Sequence, residues 1–146
     1  MGLEEEVAIL KKIPLFARID PTKLKLMAFA SERMLFKPGQ SVCKQGETGD
    51  SAYIIIEGEA DILISSDGGQ IKVASVGRND IIGEIAILLD VPRTATVQAT
   101  TNLSTLKITK DLFFRMVTDF PEMAVEIMRV LAHRLDATNA QLRNLR

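Results

Sequence analysis

Residues Ile82 to Val97 read I-G-E-I-A-I-L-L-D-V-P-R-T-A-T-V, and their types and spacing could do chemistry. Gly83 permits a tight backbone turn, and Glu84-Ile85-Ala86-Ile87-Leu88 is suited to open a short helix. The first amides of a helix point outward unpaired, so such a start can receive an anion. Pro92 stiffens the chain ahead of Arg93, and Thr94-Ala95-Thr96-Val97 is strand-like. The eleven residues from Gly83 to Arg93 thus offer one carboxylate, free amides and one guanidinium. A ligand that fits carries an anionic group beside a hydroxyl pair, like a nucleotide's phosphate and ribose. A plainer account fits equally well. Glu84 gains ~0.3–1 kcal/mol merely by standing in a first helical turn, and Arg93 could pair with it loosely in solvent, where such pairs contribute little. The elements that position these residues have to decide.

Around that stretch lies a chain of ordinary globular composition. Its 146 residues suit one domain with a real core, and 47% hydrophobic with 25% charged residues is unexceptional. A net charge of −1 gives no broad attraction to nucleic acid or anionic membrane. One cysteine, Cys43, excludes an internal disulfide and fits a reducing cytosol. No apolar run approaches the roughly 20 residues that span a bilayer, and the acidic start Met1-Gly2-Leu3-Glu4-Glu5-Glu6 is not a signal peptide. A cytoplasmic protein without membrane insertion is expected.

The element pattern has three parts. Residues 1–31 predict two short helices: Glu4–Lys12, with Val7, Leu10 and Ile13 on one side and Pro14 ending it, and a second opened by Asp20-Pro21 and carrying Leu24, Met27, Ala28 and Phe29. Residues 32–109 switch to a strand period. Met34–Phe36, Ser41–Lys44, Tyr53–Ile56, Ala60–Ser65, Ile71–Ser75, Ile81–Ile82, Thr94–Ala99 and Leu103–Thr109 are separated by turn signals such as Pro38-Gly39 and Asp67-Gly68-Gly69. This spacing predicts a mainly β fold with flanking helices, an eight-stranded antiparallel jelly-roll barrel. From 110 the helical period returns, in Asp111–Thr118 and then a long helix from Pro121 toward Leu145. Ala124, Met128, Leu131, Leu135, Thr138, Leu142 and Leu145 follow a 4-3-4-3-4-3 spacing. That spacing suits a coiled-coil seam for a homodimer, or one apolar face lying on the barrel.

Three blocks resemble the cyclic nucleotide-binding domain, the module of cAMP receptor proteins, cyclic-nucleotide-gated channels and regulatory subunits of cAMP-dependent kinase. Gln45–Asp50 with Tyr53–Gly58 is similar to the family's glycine-bearing turn and following strand. Gly83–Ala86 and Pro92–Val97 resemble its phosphate-binding cassette, residues 82–97. The likeness runs from Leu15 to Leu135. It implies that Arg93 pairs with a cyclic phosphate, that Gly83 and the amides of Ile85, Ala86 and Ala95 complete the cradle, and that Glu84 accepts from the ribose 2′-hydroxyl. It further implies an apolar wall beside the base from Ile62, Ile64 and Val73, and a lid from Leu131, Arg134 and Leu135. Arg134 either stacks on the base or is an exposed helix arginine. The sequence departs at Ile82, where relatives often carry an aromatic, and at Thr94, where alanine or serine is common; threonine occurs in several cGMP-selective members, where its hydroxyl can reach guanine, and the alternative is a bond to phosphate alone. The implied ligand is cAMP, with cGMP as the alternative.

Catalysis is not expected. A cupin needs several histidines as metal ligands, and only His133 is present. Cys43 has no evident histidine partner, and haem- or cluster-sensing relatives need ligands the sequence lacks. A helix-turn-helix after the long helix would be needed for direct DNA binding in the manner of the cAMP receptor protein, and the sequence ends at Arg146. The expectation is therefore a cyclic-nucleotide sensor with no catalytic cofactor and an effector partner in trans, or the sensor part of a larger channel or transcription regulator. A ligand-independent interaction module is the alternative, against which Gly83, Glu84 and Arg93 stand. Ligand should draw the Glu84–Leu88 helix inward, alter its contact with Phe113 or Phe114, and close the last helix over the base.

Overall fold

The computed structural model describes residues 2–13 and 16–144. Two short helices, α1 (Leu3–Lys11) and α2 (Pro21–Ala30), precede the strands β1 (Glu32–Phe36), β2 (Ser41–Cys43), β3 (Ser51–Glu57), β4 (Ala60–Ser66), β5 (Gly69–Val76) and β6 (Ile81–Ile82). Helix α3 (Glu84–Leu89) interrupts them before β7 (Thr96–Ala99) and β8 (Leu103–Thr109), and α4 (Lys110–Asp119) and α5 (Pro121–Asn144) follow. Asp20 caps α2 by accepting from the Thr22 amide at 2.8 Å, with Pro21 at the first helical position. The roles expected of Pro14 and Leu145, and the start of the likeness at Leu15, lie outside the described residues.

The strands number eight and pair antiparallel, but they do not close into a barrel. They form two four-stranded sheets, ordered β1-β8-β3-β6 and β2-β7-β4-β5. The reason is local: β6 is two residues long, and the chain leaves it at Gly83 to enter α3. That edge ends before it can pair across to the other sheet.

Strand β3 explains how one core supports the rest. Its continuous apolar run is buried on both faces. Tyr53 and Ile55 point between the sheets with Val42, Val97 and Leu103, while Ala52, Ile54 and Ile56 pack beneath the helices with Leu10, Leu24, Phe113 and Met123. Burying such side chains contributes about 1.5–3 kcal/mol each. The cassette is rooted in both layers, since Ile82 belongs to the first cluster and Ile81 and Ile87 to the second. Ile87 shares its cluster with Phe113, while Phe114 sits edge-to-face on Phe113 and is partly exposed.

Two expected faces differ from the observed ones. Phe29 is 79% exposed although its spacing follows Leu24 and Met27, because the buried face of α2 is Leu24, Met27 and Ala28. Along α5 the buried residues are Met123 and Ile127, with Ala124 and Leu131 half-buried and Met128, Leu135 and Leu142 exposed. The root of α5 therefore packs on the body; of the row predicted as a seam, Leu131 packs on the core while Met128, Leu135, Thr138 and Leu142 are exposed. No helix among the described residues is long and apolar enough to cross a membrane.

Candidate functional site

The site begins where β6 gives way to α3. Gly83 adopts a left-handed conformation (φ 84°), and a Cβ there would stand 2.5 Å from Arg93 Nη1. Glycine is needed for both the turn and the closeness of the guanidinium. Gly49 serves a similar end, because its Cβ would meet the Ala86 Cβ at 2.2 Å. The β2–β3 loop thereby lies directly against α3.

Arg93 is fixed by its backbone and its side chain. Its amide donates to Glu47 O at 2.7 Å and its carbonyl accepts from the Gly46 amide at 2.8 Å, so the glycine-bearing loop clasps the residue. Gln45 donates its amide to Thr96 Oγ1 at 3.0 Å on the same loop. The guanidinium is buried at 5% exposure. Nη1 donates to Gly83 O at 3.1 Å and Nη2 to Ser51 Oγ at 3.3 Å. Among the described residues the carboxylate paired with it is Asp50, at 3.9 Å, whose side chain is 77% exposed. Such a long, solvated pair compensates a buried cation poorly.

Glu84 is buried more deeply, at 1% exposure. Its Oε1 accepts from Arg134 Nη1 of α5, and Arg134 Nη2 donates to Ile81 O at 2.7 Å. Burial pushes the Glu84 carboxyl up from its ordinary value, and the neighbouring Arg134 guanidinium pulls it part of the way back. Burial likewise raises the Cys43 thiol, with Arg93 opposing.

A cavity of about 100 Å³ lies between these groups, lined by Cys43, Ile62, Ile82, Gly83, Glu84, Ile85, Ala86, Arg93, Thr94, Ala95, Val97 and Arg134. It gathers Gly83, Glu84, Ile85, Ala86, Arg93, Thr94, Ala95, Ile62 and Arg134, nine of the positions singled out in the sequence. Ile64, Val73, Leu131 and Leu135 lie elsewhere. The last β4–β7 pair is Leu63 with Thr96, so Ile64 stands on a hairpin that projects past β7. Val73 is the extra residue of a bulge, since Ile62 pairs with Ala74 and Leu63 with Lys72. Leu131 packs into the helix-side core and Leu135 is exposed. Sequence reasoning missed Cys43 and Val97 as lining residues and Ser51 and Asp50 as partners of Arg93. Alternation along β2 and β7 could have placed the first two, but nothing local marks the others.

A family model described as "Cyclic nucleotide-binding domain" matches residues 33–120. The CRP-like cAMP-activated global transcriptional regulator of Mycobacterium tuberculosis is 30% identical over 94% of this chain and 62% of its own length. The cAMP-dependent protein kinase regulatory subunit of Yarrowia lipolytica is 34% identical over 74% of this chain and 28% of its own. The chain thus spans less than two thirds of the length of either curated relative. Among solved structures, a triply substituted regulatory subunit of a cAMP-independent protein kinase A from Trypanosoma brucei, bound to cAMP in its A site, superimposes with a TM-score of 0.77. It is 26% identical, over 88% of this chain and 46% of that one. The two curated relatives are regulators by name.

Proposed function

The chain belongs to the cyclic nucleotide-binding domain family, and from that premise we propose that its cavity holds cAMP. Arg93 takes the cyclic phosphate, a charge-assisted contact in a partly dry pocket. The amides of Ile85, Ala86 and Ala95 complete the cradle around Gly83. Glu84 accepts from the ribose 2′-hydroxyl. Ile62 and Val97 face the base, with Ile64, Val73, Leu131 and Leu135 within reach only if the β4–β5 hairpin and α5 move.

One observation carries this reading. Arg93 is a buried guanidinium whose paired carboxylate, Asp50, is 3.9 Å away and largely in solvent. Buried charges are stable when closely paired, and an anionic ligand beside Gly83 supplies that pair. A residue needed only for packing would not be held this way.

The wider reading is a cytoplasmic sensor, non-catalytic, comprising residues 1–146 as one module and passing its signal to an effector protein. α5 is the element that responds, reaching the cavity through Arg134 and closing over the base once ligand is seated. The outward row Met128, Leu135 and Leu142 favours a homodimer through this helix. With a net charge of −1, DNA contact by these residues is not part of the reading.

Titration calorimetry with cAMP and cGMP tests the ligand. Micromolar or tighter binding of cAMP, exceeding that of cGMP, is expected. No heat with either nucleotide sinks the reading.

A further inference from the structure

Helix α2 is apolar on two sides, and the fold uses one of them. Leu24, Met27 and Ala28 are buried in the helix-side core. At roughly 100° per residue, Leu26 and Phe29 fall on the opposite side, where they are 67% and 79% exposed. A helix that is apolar all round is ordinarily covered all round, and among the described residues nothing covers this crest. Lys23 and Lys25 stand on its two shoulders, both exposed. The Lys23 ammonium lies 4.9 Å from the centre of the Phe120 ring, which holds that shoulder in place without neutralising it.

Charge is also unevenly spread along the chain. Of its 18 cations and 19 carboxylates, positions 11–31 hold five cations (Lys11, Lys12, Arg18, Lys23 and Lys25) and a single carboxylate, Asp20. That carboxylate is engaged by the Thr22 amide at 2.8 Å. The carboxylates of α1 lie at its start, Glu4 to Glu6, and Glu6 faces Arg33 at 3.7 Å. A net charge of −1 therefore conceals a positive stretch that includes α2.

Whatever covers the crest must accept both its shape and its lysines. A second copy related by a two-fold axis through the crest would bring Lys23 and Lys25 against their own counterparts, like charge on like. The crest is convex, and no α2 residue lines the cavity described above or the two larger clefts beside β1, so it offers no recess for a partner's side chain. A bilayer surface meets both requirements, because it yields to an apolar ridge and its anionic headgroups answer a lysine on each flank. We propose that α2 docks the domain on an anionic membrane surface, with Leu26 and Phe29 entering the headgroup boundary and Lys23 and Lys25 reaching the headgroups. The helix lies on that surface and does not cross it, since its 10 residues fall far short of the roughly 20 that span a bilayer. The docking is independent of the nucleotide reading, because α2 contributes nothing to that cavity.

Co-sedimentation of the full chain with vesicles tests it. Vesicles of phosphatidylcholine and phosphatidylserine in equal parts should bind roughly tenfold or more tightly than vesicles of phosphatidylcholine alone, and the preference should vanish at about 1 M salt. Lys25→Ala should weaken binding about fivefold, the effect of one unit of charge near the surface. Leu26→Ser combined with Phe29→Ser should weaken it by roughly tenfold or more. These side chains are exposed, so the melting temperatures should match wild type, which separates lost docking from lost folding. Absence of wild-type binding to the mixed vesicles, equal binding to both kinds, or unchanged binding by the double variant overturns the proposal. A dimer seen by sedimentation velocity without lipid, and dissolved by the double variant, also overturns it, because the crest is then covered by a second copy. The double variant should bind cAMP as wild type does; no nucleotide binding by either overturns the reading of the cavity and leaves the docking standing.

Discussion

Replacing Arg93 by alanine should separate what this residue does for the ligand from what it does for the fold. Against a bound phosphate the guanidinium offers two charge-assisted hydrogen bonds, each contributing about 1.5–3 kcal/mol. Together they amount to about 3–6 kcal/mol, and with 1.4 kcal/mol per decade the dissociation constant should rise by roughly 10²–10⁴. The balance for the fold is different. There Arg93 donates to Gly83 O at 3.1 Å and Ser51 Oγ at 3.3 Å, long bonds whose net contribution is about 0.5–1.5 kcal/mol each. Against this stands the cost of keeping a guanidinium at 5% exposure with Asp50 3.9 Å away. A net loss of about 1 kcal/mol corresponds to roughly 2–4 °C in a domain of this size.

Calorimetry and scanning calorimetry on the same preparations read both numbers. The expected outcome is an affinity loss of at least a hundredfold with a melting temperature only slightly lowered. Arg93→Lys should keep the charge but lose the fork, and so fall between alanine and wild type. Binding of cAMP by Arg93→Ala within tenfold of wild type would refute the phosphate role, whatever happened to stability.

Further outcomes follow at other positions. Thr94 lines the cavity and is exposed, so Thr94→Ala should lower cGMP affinity relative to cAMP if its hydroxyl reaches guanine; competition binding gives the ratio, and an unchanged ratio removes the selectivity argument. Glu84 predicts a pH signature. Its carboxyl is raised above 4.5 in the folded chain, so its stabilising protonation is present below that value and lost as pH rises through the raised one. Removing Arg134 raises it further, so Arg134→Ala should match wild type most closely near about pH 5 and fall behind toward about pH 8; thermal melts showing a gap that stays constant or narrows would contradict this. Leu142→Glu, on the outward row of α5, should weaken self-association by at least tenfold in sedimentation equilibrium, and an unchanged distribution would remove the dimer.

What the sequence showed clearly was whatever depends on neighbours along the chain. Period-2 alternation, turn glycines and the Asp20-Pro21 start located the eight strands and the flanking helices within a few residues. The cassette was legible because Gly83, Glu84 and Arg93 sit within one continuous stretch. Pairing between distant segments was not. Nothing in the alternation of Ile62 and Ile64 tells that β7 stops opposite Leu63, or that Val73 is a bulge residue. Nor does a 4-3 spacing say whether Met123 and Ile127 or Met128 and Leu135 will meet the body. Helical phase is set by the partner surface, and the partner here includes α4, which the spacing does not contain.

The two buried charges of the cassette are satisfied unequally, and that inequality gives the ligand's parts separate duties. Glu84 already has a protein cation in Arg134, whereas Arg93 has only neutral acceptors close by and a solvated carboxylate at 3.9 Å. An anion approaching Arg93 gives that cation a close charge partner, so phosphate is the part of the ligand expected to supply most of the affinity. A hydroxyl approaching Glu84 shares the carboxylate with Arg134, which engages its Oε1. Inorganic phosphate should then compete weakly for the site. A 2′-deoxy cyclic nucleotide, which lacks the hydrogen bond to Glu84, should bind roughly ten- to a hundredfold more weakly than its parent.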